Sequence, residues 1–190
     1  MIIAITGCIA SGKSTVLNYL KNNNYLTFSA DEFVDNLYQN LTIRHKILRL
    51  IPKLKIFNKH NIANIIYNDK TAKDKLEQLI YPYIINEIIK IKTCTSKYEI
   101  TFAEMPLLFE AQLENYFEYV IVTIAPRKRR FERASLRSSI NYEIFNKIEQ
   151  IQYKQKEKIA GANFIINTDV KMLKLELQII NILEKLKCQQ

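Results

Sequence analysis

Glycine is scarce in this chain: three residues among 190, alongside four prolines, three cysteines and no tryptophan. No internal repeat and no linker-like stretch divides it, so its length is that of one domain with a small appended lobe. Cys8, Cys94 and Cys188 are odd in number and widely spaced, with no CxxC pair and no Cys/His cluster around His45 or His60. That argues against a zinc site and a disulfide framework and points to a reducing, intracellular setting. Long apolar runs are missing too. The apolar start at residues 1–6 is interrupted by a glycine loop and Lys13 before a signal-peptide core or a spanning segment forms, so a cytoplasmic protein is expected.

Basic charge is in excess, with 28 Lys and Arg against 19 Asp and Glu, a formal net charge of +9. Such a balance suits nucleic acid, a membrane surface, or substrates that carry several phosphates. The third is preferred here. Lysine, asparagine and isoleucine are abundant throughout rather than gathered in a tail, so part of the excess is compositional.

Two of the three glycines fall in one eight-residue stretch, Gly7-Cys8-Ile9-Ala10-Ser11-Gly12-Lys13-Ser14, which fits the phosphate-cradling pattern G-x-x-x-x-G-K-[ST]. The stretch follows an apolar run, Met1 to Thr6, that reads as a buried strand, and precedes an apolar-faced helix beginning at Ser14. In such a loop successive backbone N–H groups turn inward onto phosphate oxygens, aided by the positive end of the helix dipole. The nucleotide-binding set is therefore Ala10, Ser11, Gly12, Lys13, Ser14 and Thr15. Lys13 neutralises the β and γ phosphates, and the Ser14 hydroxyl ligates Mg²⁺. The competing reading is a tight strand-to-helix turn that merely carries a lysine. Cys8, near a helix N-terminus, is either a thiol of lowered pKa or a small loop-filling side chain.

Asn22-Asn23-Asn24 tolerates left-handed geometry and ends the first helix. Tyr25 to Ser29 reads as a second strand, and its end delivers Asp31 to the crevice where ligands gather in open parallel sheets. Residues 32–92 have a helical pattern broken or kinked at Pro52 and Pro82, an excursion long enough to be a lobe over the crevice. Further strands are expected at Glu99–Glu104, Tyr119–Ala125 and Phe164–Asn167, and a last amphipathic helix at Met172–Leu186. The expected architecture is a three-layer α/β sandwich around a parallel sheet of about five strands.

Arg127, Lys128, Arg129, Arg130, Arg133 and Arg137 form the densest basic cluster. Arg130, Arg133 and Arg137 share one helical face. They are either a solvated basic surface or a mobile lid whose guanidinium groups close over a transferred phosphoryl group. Asn141 is a candidate cap for the next helix.

This constellation resembles the dephospho-coenzyme A kinase family over nearly the whole chain. The family opens with a strand and then Thr-Gly-Gly-Ile-Gly-Ser-Gly-Lys-Ser-Thr; Thr6 to Thr15 matches it with Cys8 and Ala10 in place of two glycines. The family's Asp-Ala-Asp appears as Ser29-Ala30-Asp31, and its Leu-x-x-x-x-His-Pro as Leu76 to Pro82 with Tyr81 for histidine. Glu104 to Glu110 is similar to Asp-x-Pro-Leu-Leu-Phe-Glu, the most family-specific piece. Arg133, Arg137, Gln152 and Lys158 fall where the family has lid arginines, a glutamine and a basic residue.

The resemblance implies a P-loop NTPase fold, α/β/α with a parallel five-stranded sheet. Its core lies at about 1–31, 98–126 and 160–190, with a helical acceptor lobe at about 32–97 and a lid at about 127–159. It implies transfer of the ATP γ-phosphoryl to the ribose 3′-hydroxyl of dephospho-coenzyme A. Lys13, Asp31, Arg133 and Arg137 are then the catalytic residues, Asp31 orienting or deprotonating the hydroxyl, and Ser14 with Glu104 hold Mg²⁺, Glu104 through water. Asp31 has a competing role as cap of a helix starting near Glu32, and Glu104 as partner of a nearby lysine. The partners implied are the small molecules ATP and dephospho-coenzyme A, without nucleic acid or membrane, acting on a monomer or weak homo-oligomer.

Three alternatives remain at this stage. A nucleoside or nucleotide kinase would phosphorylate a nucleoside monophosphate instead. A GTPase-type switch would prefer GTP, but the chain lacks the guanine-reading Asn-Lys-x-Asp motif. An RNA-binding protein would show salt-dependent affinity that survives Lys13→Ala.

Overall fold

The computed structural model describes residues 1–94, 99–138 and 140–188, with the side chains of Arg137 and Ser138 outside the described set. The chain packs into two compact units, one of residues 1–29 and 91–190, the other of residues 30–90. The expected boundary at Lys97 and Tyr98 lies outside the described residues.

The first unit is built on five strands: β1 (Ile2–Thr6), β2 (Leu26–Ser29), β3 (Thr101–Glu104), β4 (Tyr119–Ile124) and β5 (Phe164–Asn167). Their order is β2-β3-β1-β4-β5 and every pairing is parallel. β1 is central, with Ile5 opposite Glu104 on one side and Ile121 on the other. All five of its residues are buried, which is why it reads as an unbroken apolar run rather than an alternation. The sequence places the starts of β2 and β3 at Tyr25 and Glu99; both begin later, at Leu26 and Thr101.

Ile3, Ile5, Phe102, Ile121 and Ile166 present one face of the sheet to α1 (Lys13–Asn22) and α9 (Met172–Lys187), which contribute Val16, Leu17, Leu20, Leu175, Ile179 and Leu183 to the same core. Three more helices cross between β4 and β5: α6 (Arg127–Ser138), α7 (Tyr142–Ile151) and α8 (Gln155–Ala160), of which α8 packs against β4. Asparagine ends α1 as expected. Asn24 takes a φ of +64°, and the Tyr25 and Asn24 amides donate to the Leu20 and Lys21 carbonyls, both at 3.1 Å. That double closure is the usual way a left-handed residue terminates a helix. The Asn141 side chain caps α7 by accepting from the Ile144 amide at 2.8 Å.

The second unit holds α2 (Ala30–Leu37), α3 (Leu41–Leu50), α4 (Lys59–Ile66) and most of α5 (Lys70–Cys94). No strand occurs among its residues, in accord with the helical pattern. Asn40 and Asn58 cap α3 and α4. Pro52 follows the end of α3, acting as a breaker, whereas Pro82 lies inside α5 and does not stop it. Leu76, Ile80, Ile84 and Ile88 recur every four residues and are all buried, so the packed stripe carries the helix past the missing amide hydrogen bond.

Candidate active site

The loop between β1 and α1 is shaped by three left-handed residues. Gly7 has φ +152°, and a Cβ there would lie 2.5 Å from the Thr123 carbonyl oxygen. Gly12 has φ +92°, and a Cβ would meet the Thr168 side chain at 2.8 Å. Between them Ala10 takes φ +55° although it carries a Cβ. The Ser11 amide donates to the Cys8 carbonyl at 3.1 Å, and the Ser11 hydroxyl shares a 2.7 Å hydrogen bond with that of Thr123, fixing the loop to the end of β4.

Lys13 opens α1 and is buried, its Nζ donating to the carbonyls of Gly7 and Cys8 at 3.2 Å each. The ammonium is thus held over the loop. No acidic residue occupies the first turn of α1, so nothing there opposes the positive helix end. The Ser14 hydroxyl donates to Glu104 Oε1 at 3.3 Å. Parallel register brings these groups together, because β3 ends at Glu104 beside Ile5 of β1, and the loop follows β1.

Arg133 donates from Nη1 to the Thr168 hydroxyl at 2.9 Å and from Nη2 to the Thr168 carbonyl at 2.8 Å. Thr168 follows β5, and its hydroxyl donates on to the Ser11 carbonyl at 2.7 Å. Arg133 is therefore fixed beside the loop. Arg130, expected on the same basic face, is buried at 5% exposure and paired with Glu149 at 2.7 Å. It is structural rather than a free lid cation, because a buried guanidinium needs its carboxylate. Arg127 and Arg129 are also paired, with Glu149 and Asp169 respectively. The side chain of Arg137 lies outside the described residues; its backbone is in the last turn of α6.

Two cavities flank the loop. One of about 330 Å³ is lined by Ala10, Gly12, Thr15, Arg133, Thr168 and Val170 among others. The other, about 690 Å³, is lined by Cys8, Arg127, Arg130, Gln152, Tyr153 and Lys154 among others. Cys8 is buried, and desolvation pushes its thiol pKa up, with Arg130 opposing. The small loop-filling role therefore fits and the activated thiol does not.

Asp31 belongs to the second unit and is exposed. α2 begins at Ala30, directly after β2, so Asp31 is an internal residue of the first turn and not the cap of a helix starting at Glu32. Within that unit its charge helps raise the pKa of the Tyr67 hydroxyl, second to burial. Lys13, Ser14, Glu104 and Arg133 are thus assembled in the first unit.

Sequence reasoning missed Thr168 and the pairing of Lys158 with Glu110. The position of Thr168, just past the carboxyl end of a parallel strand, was the available signal. The fully buried Lys158 is bonded by its Nζ to Glu110 Oε1 at 2.9 Å and to the Pro106 carbonyl at 3.0 Å. Nothing in local spacing announces a partner 48 residues away.

A family model described as dephospho-CoA kinase matches residues 1–174. A curated relative named dephospho-CoA kinase, from Rickettsia typhi, is 44% identical over 187 residues, covering 98% of each chain. Among solved structures, TT1252 from Thermus thermophilus has a TM-score of 0.84 at 25% identity, covering 98% of this chain and 97% of that one. Dephospho-CoA kinase from Campylobacter jejuni has the same fold, with a TM-score of 0.68 at 23% identity, covering 99% and 98%. The parallel sheet with flanking helices is the three-layer P-loop kinase architecture.

Proposed function

Since the chain belongs to the dephospho-CoA kinase family, we propose that it transfers the γ-phosphoryl group of ATP to the ribose 3′-hydroxyl of dephospho-coenzyme A, the last step of coenzyme A synthesis. The observation that carries this is the loop itself: Lys13 held over Gly7 and Cys8, with the Ser14 hydroxyl against Glu104. In this reading the phosphates lie on the amides that open α1 and the base takes the 330 Å³ cavity beside Ala10 and Val170.

In the transfer the 3′-oxygen attacks the γ-phosphorus in line, the bond to the β–γ bridging oxygen breaks, and ADP leaves with that electron pair. Asp31 accepts the hydroxyl proton and orients the attacking oxygen. Lys13 and Arg133, with Arg137 from the same helix, stabilise the charge that spreads over the equatorial oxygens. Residues 32–97 take the acceptor and residues 127–159 close over the phosphates.

Ser14 and Glu104 suit Mg²⁺, because a hydroxyl and a carboxylate 3.3 Å apart are hard oxygen donors of the kind it binds with several waters retained. Among the described residues no cluster of three or more His, Cys, Asp or Glu forms a dedicated cage. Ser14 and Glu104 would hold the ion, and the chemistry it would supply there is neutralisation of phosphate charge.

We place the enzyme in the cytoplasm, as a monomer or weak homo-oligomer without nucleic-acid or membrane partners; no helix among the described residues is long and apolar enough to cross a membrane. The test is a coupled assay of ADP release with ATP and Mg²⁺. Release that depends on dephospho-coenzyme A is expected, and release that depends instead on a nucleoside monophosphate would overturn the assignment.

A further inference from the structure

We propose that Gln152 is a positioning residue that holds the phosphate loop in its binding conformation, and that the buried Glu110–Lys158 pair sets its reach. The proposal rests on the loop being the nucleotide site.

α7 ends at Ile151, and Gln152 follows in an extended conformation. Its side-chain Oε1 accepts from the Ile9 amide at 2.8 Å. The carbonyl of the same loop residue accepts from Arg130 Nη1 at 3.5 Å. Ile9 is therefore gripped at both of its backbone polar groups, from α6 and from the end of α7. The next residue, Ala10, is the one that pays for the turn, since a left-handed φ sets its Cβ against the backbone. Strained backbone of this kind persists only where the surroundings over-determine it. Gln152 supplies that restraint immediately before the strained residue.

The position of Gln152 is itself fixed. The Tyr153 amide donates to Glu110 Oε1 at 2.7 Å, and the Tyr153 carbonyl accepts from the Cys8 thiol at 3.7 Å. Both oxygens of Glu110 are bonded to Lys158 Nζ, at 2.9 and 3.0 Å, and that ammonium has no exposed surface. A buried ion pair gains little stability over an apolar pair of the same size. Its geometric effect is definite: it pins the backbone at residue 153 and hence the arm that reaches Ile9. The Gln152 side-chain oxygen is engaged by the Ile9 amide. It acts through the loop.

The test is Gln152→Met, which keeps the length of the side chain and removes the acceptor. ADP affinity is measured by titration calorimetry, ATP KM and kcat by steady-state kinetics, and unfolding of the apo-protein by calorimetry. The ADP Kd and the ATP KM are expected to rise about tenfold, the effect of one backbone hydrogen bond left unmade. kcat at saturating ATP and the KM for dephospho-coenzyme A stay within about threefold, and Tm within about 3 °C. The double variant Glu110→Leu with Lys158→Met leaves no unpaired charge and is expected to raise the same two constants. ADP affinity and ATP KM within twofold of wild type in either folded variant would overturn the proposal, as would a loss confined to Tm. Because ADP binding needs no acceptor, failure of the wild type to phosphorylate dephospho-coenzyme A leaves the binding result readable and counts only against the assigned reaction.

Discussion

Arg133 and Thr168 are joined twice, the guanidinium donating to both the hydroxyl and the carbonyl of one threonine, and that hydroxyl passes the connection on to the Ser11 carbonyl in the phosphate loop. A bidentate anchor of this kind holds the guanidinium plane in one orientation, which a lysine in its place would not do. Arg133→Ala is expected to lower kcat by about 10²–10³, the range for loss of one pre-organised donor to transition-state charge. Arg133→Lys should recover only part of it. Steady-state kinetics at saturating ATP reads the effect, and a fall below threefold would leave Arg133 as a tether for Thr168 and nothing more.

Asp31 lies in the first turn of α2, exposed, at the entry to the helical unit. Asp31→Asn keeps shape and hydrogen-bonding capacity but removes the carboxylate proposed above as the proton acceptor. ATP affinity should be unchanged while kcat drops by about 10²–10⁴, the contribution of a positioned proton acceptor. Normal turnover by this variant would return Asp31 to a purely electrostatic role at the helix N-terminus.

Ala10 offers a stability test. A left-handed alanine costs about 1–2 kcal/mol, and glycine gives back about 0.4–1 kcal/mol of that through the freer unfolded chain. Ala10→Gly is therefore expected to stabilise the apo-protein by roughly 0.5–1 kcal/mol, a rise of about 2 °C in Tm at this chain length. Scanning calorimetry decides it; a lower Tm would mean that the methyl group's packing outweighs its backbone strain.

The three cysteines should separate by reactivity. Cys94 and Cys188 are exposed, whereas Cys8 is buried with its thiol pKa raised by desolvation from the ordinary value of 9.0. At pH 8 iodoacetamide should modify the first two rapidly and Cys8 slowly, as mass spectrometry of time points will show. The sign of the pH effect follows from linkage. The unfolded thiol ionises before the folded one, so the stability associated with Cys8 is complete below about pH 9 and is lost as pH rises through its folded pKa. Rapid labelling of Cys8 would contradict the burial on which both expectations stand.

The parts of this protein that were legible in its sequence are those fixed by neighbours along the chain. β1, the loop and α1 follow from a run of apolar residues and the spacing of Gly7, Gly12, Lys13 and Ser14. Asn24 and Asn141 were readable as helix ends because their conformational tolerance and capping chemistry are local properties. Pro82 was only partly legible, since the stripe of buried residues around it outweighs a local preference. Arg130 was placed on the right helix, but its burial depends on Glu149 on the following helix. Thr168 reaches Ser11 across 157 residues, and no spacing rule connects them. The start of α2 was misplaced by two residues, enough to turn Asp31 from a cap into an internal residue.

The central place of β1 has a consequence for how the chain is made. Thr6 receives a hydrogen bond from the Thr123 hydroxyl, 117 residues further on, and both strands that flank β1 also emerge long after it. At ribosomal rates of 5–20 residues per second, an unpaired apolar strand waits on the order of 10 s for its neighbours. The loop after β1 is therefore synthesised early and completed late, and through that interval the nascent Ile2–Ile5 segment presents an unpaired apolar edge to other chains.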